Sequence, residues 1–410
     1  MVSTMGRRAV LAGAAGLAAA SGRRARAQIK PPTLRFGVLT DLSGQYSDVS
    51  GATGAVCARQ AITDYGSADL VADVILADHQ QKPDIGVAIV REWFDRGDVD
   101  VVLDVGNTAV ALAIAPMVAE KNKVHLNTGA ASSVLTGTNC NANQIHWPYD
   151  TWCTANSTVR SILAAGGDRW FFITADYTFG KNTQADATRF VEADGGKVLG
   201  SALHPFPGTT DFSSYLVQAL GSGANVAAFC NGGGDTRNCI KQAAEFGLAQ
   251  RGVRPAAMIA FLQDVAAVGL ESAQGLALTE TFYWDLNHRT RAFTARVKPK
   301  LIRGNYPNML HAAAYSATLH YLKTATRLGV AQAKADGRAT VAAMKAMPTD
   351  DDCFGPGSIR VDGRKLHPAY LFEAKRPADS TGPWDLFRLV GTTSADKAFR
   401  PLDQGGCSLA

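Results

Sequence analysis

Short apolar, β-branched runs alternate along this chain with longer stretches whose apolar positions recur every three or four residues. In order they predict a strand at Phe36–Thr40 and a helix at Ala52–Tyr65, a strand at Val71–Ala77 and a helix at Ile85–Phe94. A strand at Val99–Val105, a helix at Thr108–Lys121 and a strand at Val124–Asn127 follow. Strands apolar on both faces, each followed by a helix, imply a parallel sheet with helices on both sides, because right-handed crossovers put them there.

After a break at His146–Asp150 the pattern restarts. Helices are predicted at Thr151–Ala165, Asn182–Ala193, Phe212–Leu220 and Thr236–Phe246, and strands at Trp170–Thr174, Val198–Leu203, Val226–Cys230 and Ala257–Phe261. A second lobe of the same kind therefore follows the first, with no residue-level repeat between them. An apolar stretch from Gly275 to Trp284 then leads into amphipathic helices at Arg289–Leu301 and Met309–Leu328, and strands close the chain near Ser358–Val361, Ala369–Glu373 and Trp384–Val390. With two sheets already complete, the economical path returns to the first lobe and crosses again. The fold class is α/β, two doubly wound parallel-sheet lobes joined by a multi-stranded hinge.

Charge changes the picture only at the N-terminus. The formal net charge is +5, but residues 1–27 hold five arginines and no acid; beyond them 36 basic residues face 36 acidic ones. A neutral body with no basic stripe gives no electrostatic reason to expect a nucleic-acid partner. Arg7-Arg8, an apolar run from Ala9 to Ala20 and Ala25-Arg26-Ala27 have the order of an export signal, closer to the twin-arginine kind, with cleavage expected after Ala27. Twelve apolar residues are too few to span about 30 Å of hydrocarbon. A soluble, exported, periplasmic protein is expected, without membrane insertion of the mature chain.

The seven cysteines include no C-x-x-C pair and no histidine at zinc spacing, so neither metal nor cofactor is expected; their odd number leaves at least one thiol outside any internal bridge. Motifs of serine hydrolases, zinc proteases, P-loops and dinucleotide sites are missing too, and no enzyme is expected. What remains is a set of small, polar strand-to-helix loops, where open α/β sheets bind ligands and helix N-termini favour an anion.

In the first lobe these loops carry Asp41-Leu42-Ser43-Gly44-Gln45-Tyr46, Gly106-Asn107-Thr108 and Thr128–Ser132, with Ser43, Tyr46, Asn107, Thr108, Ala130, Ala131 and Ser132 as candidate ligand contacts. In the second they carry Ala175–Gly180, Gly232–Asp235 and Gln263-Asp264, with Tyr177, Phe179, Asp235 and Gln263 as candidates. Each has a plainer reading: Asn107, Thr108, Ser132 and Asp235 stand where helix caps stand, Asp41 where it would brace its loop, and Asp264 where a cap is favoured.

Five segments together, Phe36–Gly44, Trp170–Tyr177 with Phe179-Gly180, Gly195–Gly200, Asp211–Tyr215 and Ile240–Gly247, resemble the leucine-binding-protein-like family, the extracytoplasmic solute-binding proteins of branched-chain amino acid type ABC transporters. The resemblance runs from about Leu34 to the C-terminus. It implies the type I periplasmic binding protein fold, two lobes joined by three crossovers that close by a hinge on a small molecule and present it to ABC permease subunits. The implied division is a first lobe of 28–149 with 281–345, a second of 150–280 with 346–397, and a tail, 398–410, returning to the hinge; a monomer is expected.

By the same resemblance, the positions of Asn107-Thr108 and of Ala130 with Ser132 hold a ligand carboxylate, Phe179 stands where an aromatic packs on it, and the acidic partner of an ammonium falls near Gln263-Asp264. Similar members bind amino acids, aromatic carboxylates, fatty acids, urea or amides. In similar long members a cysteine precedes the Tyr149-Asp150 position and another ends the chain, which pairs Cys140 with Cys407. The alternatives are a ligand-sensing lobe for a membrane receptor, which shares the fold, and an extracytoplasmic hydrolase using Asp176, Asp235 or Asp264 with a histidine.

Overall fold

The computed structural model describes residues 33–67 and 70–410; the expected export signal at 1–27 lies outside them. The first half builds β1 (Thr33–Thr40), α1 (Gly51–Tyr65), β2 (Val71–Asp78), α2 (Pro83–Asp95), β3 (Val101–Asp104), α3 (Thr108–Glu120), β4 (Val124–Asn127) and β5 (Gln144–His146). These strands form one parallel sheet in the order β2-β1-β3-β4-β5. Its centre is buried on both faces, β3 and β4 along their whole length.

The second half builds α4 (Thr151–Ala164), β6 (Arg169–Ala175), α5 (Thr178–Ala193), β7 (Lys197–His204), α6 (Ser213–Gly221), β8 (Val226–Cys230), α7 (Gly234–Glu245), β9 (Arg254–Ala257), α8 (Leu262–Val268), α9 (Leu270–Ala273) and β10 (Ala277–Glu280). The chain then returns through α10 (His288–Val297), α11 (Met309–Leu328), α12 (Val330–Ala335) and α13 (Gly337–Ala346) to a two-stranded ribbon, β11 (Ser358–Ile359) with β12 (Lys365–Leu366). It ends in β13 (Ala369–Ala374), β14 (Phe387–Thr393) and α14 (Ala395–Ala398). The second sheet runs β14-β13-β10-β9-β8-β6-β7.

Three findings differ from the sequence reading. The second sheet is parallel only from β7 to β10; β13 pairs antiparallel with β10 after the chain has returned from the first lobe, and β14, the next strand along the chain, pairs antiparallel with β13. The apolar run expected as a strand at 257–261 pairs only up to Ala257; Ile259 and Phe261 line the space between the sheets, and α8 starts at Leu262, with Asp264 in its first turn accepting from the Phe261 amide. Helix α5 begins at Thr178 rather than Asn182, which puts Phe179 and Gly180 in its first turn.

The chain passes between the sheets after β5, after β10 and after α13. Arg364 stitches the first and third passages together: fully buried, it donates to the carbonyls of Trp147 and Tyr149 and pairs with Asp150 at 3.5 Å. Cys353, Phe354 and Ile359, in the stretch assigned to the second lobe, pack in one buried cluster with Phe282 and Phe293. Cys140 and Cys407 form a disulfide with Cα atoms 5.6 Å apart, which fastens the tail beside β5; the other five cysteines are free and buried.

Candidate functional site

A narrow cavity lies between the carboxyl ends of the two sets of strands. Tyr46, Val49, Ser50, Gly106, Thr108, Gly129, Ala131 and Leu310 line it from the first lobe, Tyr149 from the first crossover, and Tyr177, Phe179, Gly232, Ile259 and Phe261 from the second lobe. It measures about 30 Å³, on a scale where one water needs about 10–15 Å³. Entry of anything larger requires the lobes to part.

Helix starts surround the cavity. Ser50 immediately precedes α1, Thr108 opens α3, and Phe179 and Leu310 stand in the first turns of α5 and α11. First-turn amides have no partner inside their helix and carry the positive end of its dipole. None of these four helices has an acidic residue in its first turn. The Thr108 hydroxyl is buried with no hydrogen-bond partner. No Lys, Arg, His, Asp or Glu is among the lining residues.

Aromatic rings from both lobes form the rest of the walls. The Tyr46 and Tyr177 hydroxyls meet at 2.7 Å, Tyr177 stacks on Phe206 with centroids 3.9 Å apart, and Tyr149 meets Phe261 edge-on at 6.0 Å. Burial pushes both Tyr46 and Tyr177 above the usual phenol range, so both stay protonated at neutral pH. Gly233, at φ +57, lets the lobes touch: a Cβ there would lie 2.5 Å from the Gln45 carbonyl oxygen.

Of the sequence candidates, Tyr46, Thr108, Ala131, Tyr177 and Phe179 meet at this cavity. The others stand elsewhere. Ser43 is exposed and donates to Asp78 at 2.6 Å. Asn107 is the α3 N-cap, accepting from the amides of Ala109 and Val110 while donating to Gln81. Ala130 faces the core on the other side of the sheet. Ser132 donates to Asn182 across the lobes at 2.7 Å. Asp235 lies behind the Gly232–Gly234 loop, 4.0 Å from His204 Nδ1, and burial pushes its carboxyl up to about 7. Gln263 donates to the Tyr306 carbonyl at 2.7 Å and accepts from Asn308, outside the cavity. Asp41 braces its loop by accepting from the amides of Gly44 and Tyr46.

Sequence reasoning missed Ser50, Val49, Tyr149, Ile259, Phe261 and Leu310. Tyr149 sat in the recognised break and Ser50 just before a predicted helix, which were usable signals. The four apolar residues read like any core residues.

This arrangement, two α/β lobes facing each other across a cavity with three connecting passages, defines a hinged two-lobe binding protein. Residues 33–382 match the family described as periplasmic binding protein, and the chain belongs to that family, in its leucine-binding-protein-like type. A periplasmic binding protein from Burkholderia mallei is similar over 92% of this chain and 99% of its own at 39% identity, with a TM-score of 0.87. A branched-chain amino acid ABC transporter periplasmic ligand-binding protein from Burkholderia xenovorans has 37% identity over 92% of this chain and 99% of its own, at TM-score 0.80. The solute-binding protein of an ABC transporter from R. palustris, in complex with 4-hydroxybenzoate, shares the fold at TM-score 0.80 and 20% identity, covering 90% and 98%. No curated protein sequence matches the chain. Family membership makes the protein a solute-binding component of ABC transport, and no described helix is long and apolar enough to cross a membrane.

Proposed function

We propose that the protein captures an aromatic carboxylate between its lobes and delivers it to the permease subunits of an ABC importer. The observation that carries this reading is the pairing of an unpartnered, buried Thr108 hydroxyl and four acid-free helix starts with a lining that is otherwise aromatic and apolar. The carboxylate docks on Thr108, Ser50 and the amides of the Gly106 and Gly129–Ala131 loops; the ring lies among Tyr46, Tyr149, Tyr177, Phe179 and Phe261. Fold relatives in complex with benzoate and 4-hydroxybenzoate support the class. Closure follows from tighter contacts in the shut state.

An α-amino acid is the second reading, favoured by the Burkholderia xenovorans relative. It lacks a partner for the ammonium, since no carboxylate lines the cavity. In this reading of the chain, residues 1–27 direct export to the periplasm and are removed after Ala27, and the mature protein works as a monomer. A thermal-shift screen with benzoate, 4-hydroxybenzoate, leucine and hexanoate tests the ligand class. A shift of several degrees with the aromatic acids alone is the expected result; a shift with leucine alone overturns it.

A further inference from the structure

Strand β3 ends in an unusual turn. Asp104 and Val105 both have left-handed backbone, at φ +79 and +65, a region that a β-branched residue such as Val105 rarely adopts. The turn sets the Asp104 carboxyl directly under the cavity wall. A Cβ on Gly129, which lines the cavity, would lie 2.3 Å from Asp104 Oδ1. Oδ2 accepts from Ser50 Oγ at 2.7 Å, and Ser50 Oγ stands 2.8 Å from Thr40 Oγ1. Asp104 is 2% exposed and its Oδ1 has no hydrogen-bond partner.

We propose that Asp104 is a positioning residue that sets the polarity of the Ser50 hydroxyl, so that the protein takes up a proton when it binds a carboxylate. This rests on the carboxylate reading above. Ser50 has one hydroxyl proton. When Asp104 is ionised it can only accept, Ser50 donates down to it, and the oxygen lone pairs left facing the cavity repel an anion. When Asp104 is protonated its own O–H donates to Ser50 Oγ, and with the Thr40 hydroxyl also donating to Ser50 Oγ the Ser50 proton is free to donate to the ligand. The proton comes from solvent, stays on Asp104, and no other bond is made or broken.

The surroundings favour this. Burial pushes the Asp104 carboxyl up to about 6, and the Asp41 carboxyl, at the end of β1, pushes it the same way. Tyr149, on the first crossover, and His311, whose Nε2 lies 3.1 Å from the Ser50 carbonyl oxygen, also face this site. Burial holds His311 down to about 4 and Tyr149 above the usual phenol range, so both are neutral between pH 6 and 8. A bound carboxylate in the same site adds a second negative charge, which pushes the Asp104 carboxyl up further.

The test is calorimetric titration of 4-hydroxybenzoate into the purified protein at pH 7 in phosphate and in Tris, whose ionisation enthalpies differ. Wild type is expected to take up close to one proton, with affinity falling about tenfold per pH unit above 7. Asp104→Asn, whose Nδ2 can donate to Ser50 and whose amide does not titrate, is expected to bind with little buffer or pH dependence. Ser50→Ala, which keeps the carboxyl but removes the relay, is expected to bind more weakly and with a flatter pH profile, and it decides the matter if Asp104→Asn fails to fold. Binding without proton uptake in wild type, or uptake undiminished in both variants, overturns the inference while leaving the carboxylate reading intact. If no carboxylate binds at all, both fall.

Discussion

The hydroxyl of Tyr46, on the loop after β1, lies 2.7 Å from that of Tyr177, at the start of α5, so one hydrogen bond spans the mouth between lobes that share no local sequence. Tyr177→Phe keeps the stack on Phe206 and removes only this bridge. Losing one neutral hydrogen bond costs about 1 kcal/mol, which should appear as ligand dissociation about fivefold faster, measured by stopped-flow fluorescence, with an unchanged melting temperature. An unchanged dissociation rate would show that the bridge does not hold the shut state.

Thr108 and its neighbour Asn107 separate binding from capping. Thr108→Val removes the unpartnered hydroxyl at constant shape and should weaken carboxylate binding about tenfold or more, as loss of a hydrogen bond to a charged group does. Thr108→Ser should retain affinity. Asn107→Ala removes the α3 cap and should lower stability by about 1 kcal/mol, with a smaller change in affinity. Titration calorimetry paired with thermal melts distinguishes the two; a larger affinity loss in Asn107→Ala would reverse the assignment.

Asp235 predicts a pH effect on stability. Burial raises its carboxyl from the ordinary 3.8 to about 7, so the folded protein holds this proton more tightly than the unfolded chain does. Its contribution is therefore least unfavourable at low pH, worsens as pH rises from about 4 to about 7, and is fully unfavourable above that. Asp235→Asn should melt higher than wild type at pH 8, by an amount worth at least about 1 kcal/mol, and nearly level with it at pH 4. Equal melting temperatures at pH 8 would count against a carboxylate whose burial outweighs its partners.

Cysteine chemistry is directly countable. Thiol titration of denatured, unreduced protein should find five groups, while the folded protein should react slowly because all five are buried. Peptide mapping without reductant should recover Cys140 joined to Cys407. Seven thiols, or a different pair, would contradict the tail's attachment.

Much of this protein was legible in one dimension. The alternation of apolar runs with amphipathic stretches determined the order of strands and helices, because a strand buried on both faces and a helix buried on one leave distinct periods in the chain. The same order placed Thr108, Tyr177 and Phe179 at strand-to-helix ends, and open α/β sheets collect their ligand sites there.

Only the tertiary structure decided the rest. Whether Asn107 or Thr108 faces the cavity depends on one residue of helix phase, and capping α3 takes Asn107. Whether Asp235 and Gln263 reach a ligand depends on how closely the lobes approach, and the Gly232–Gly234 loop and the Asn308 amide stand in between. Val49, Ile259, Phe261 and Leu310 carry no local mark, because a side chain that packs on a ligand has the same chemistry as one that packs on its own core. Asp104 beneath Gly129, and the disulfide between residues 267 positions apart, exist only once distant segments have met. Periodicity records which face of an element is buried; it holds no record of what lies against that face.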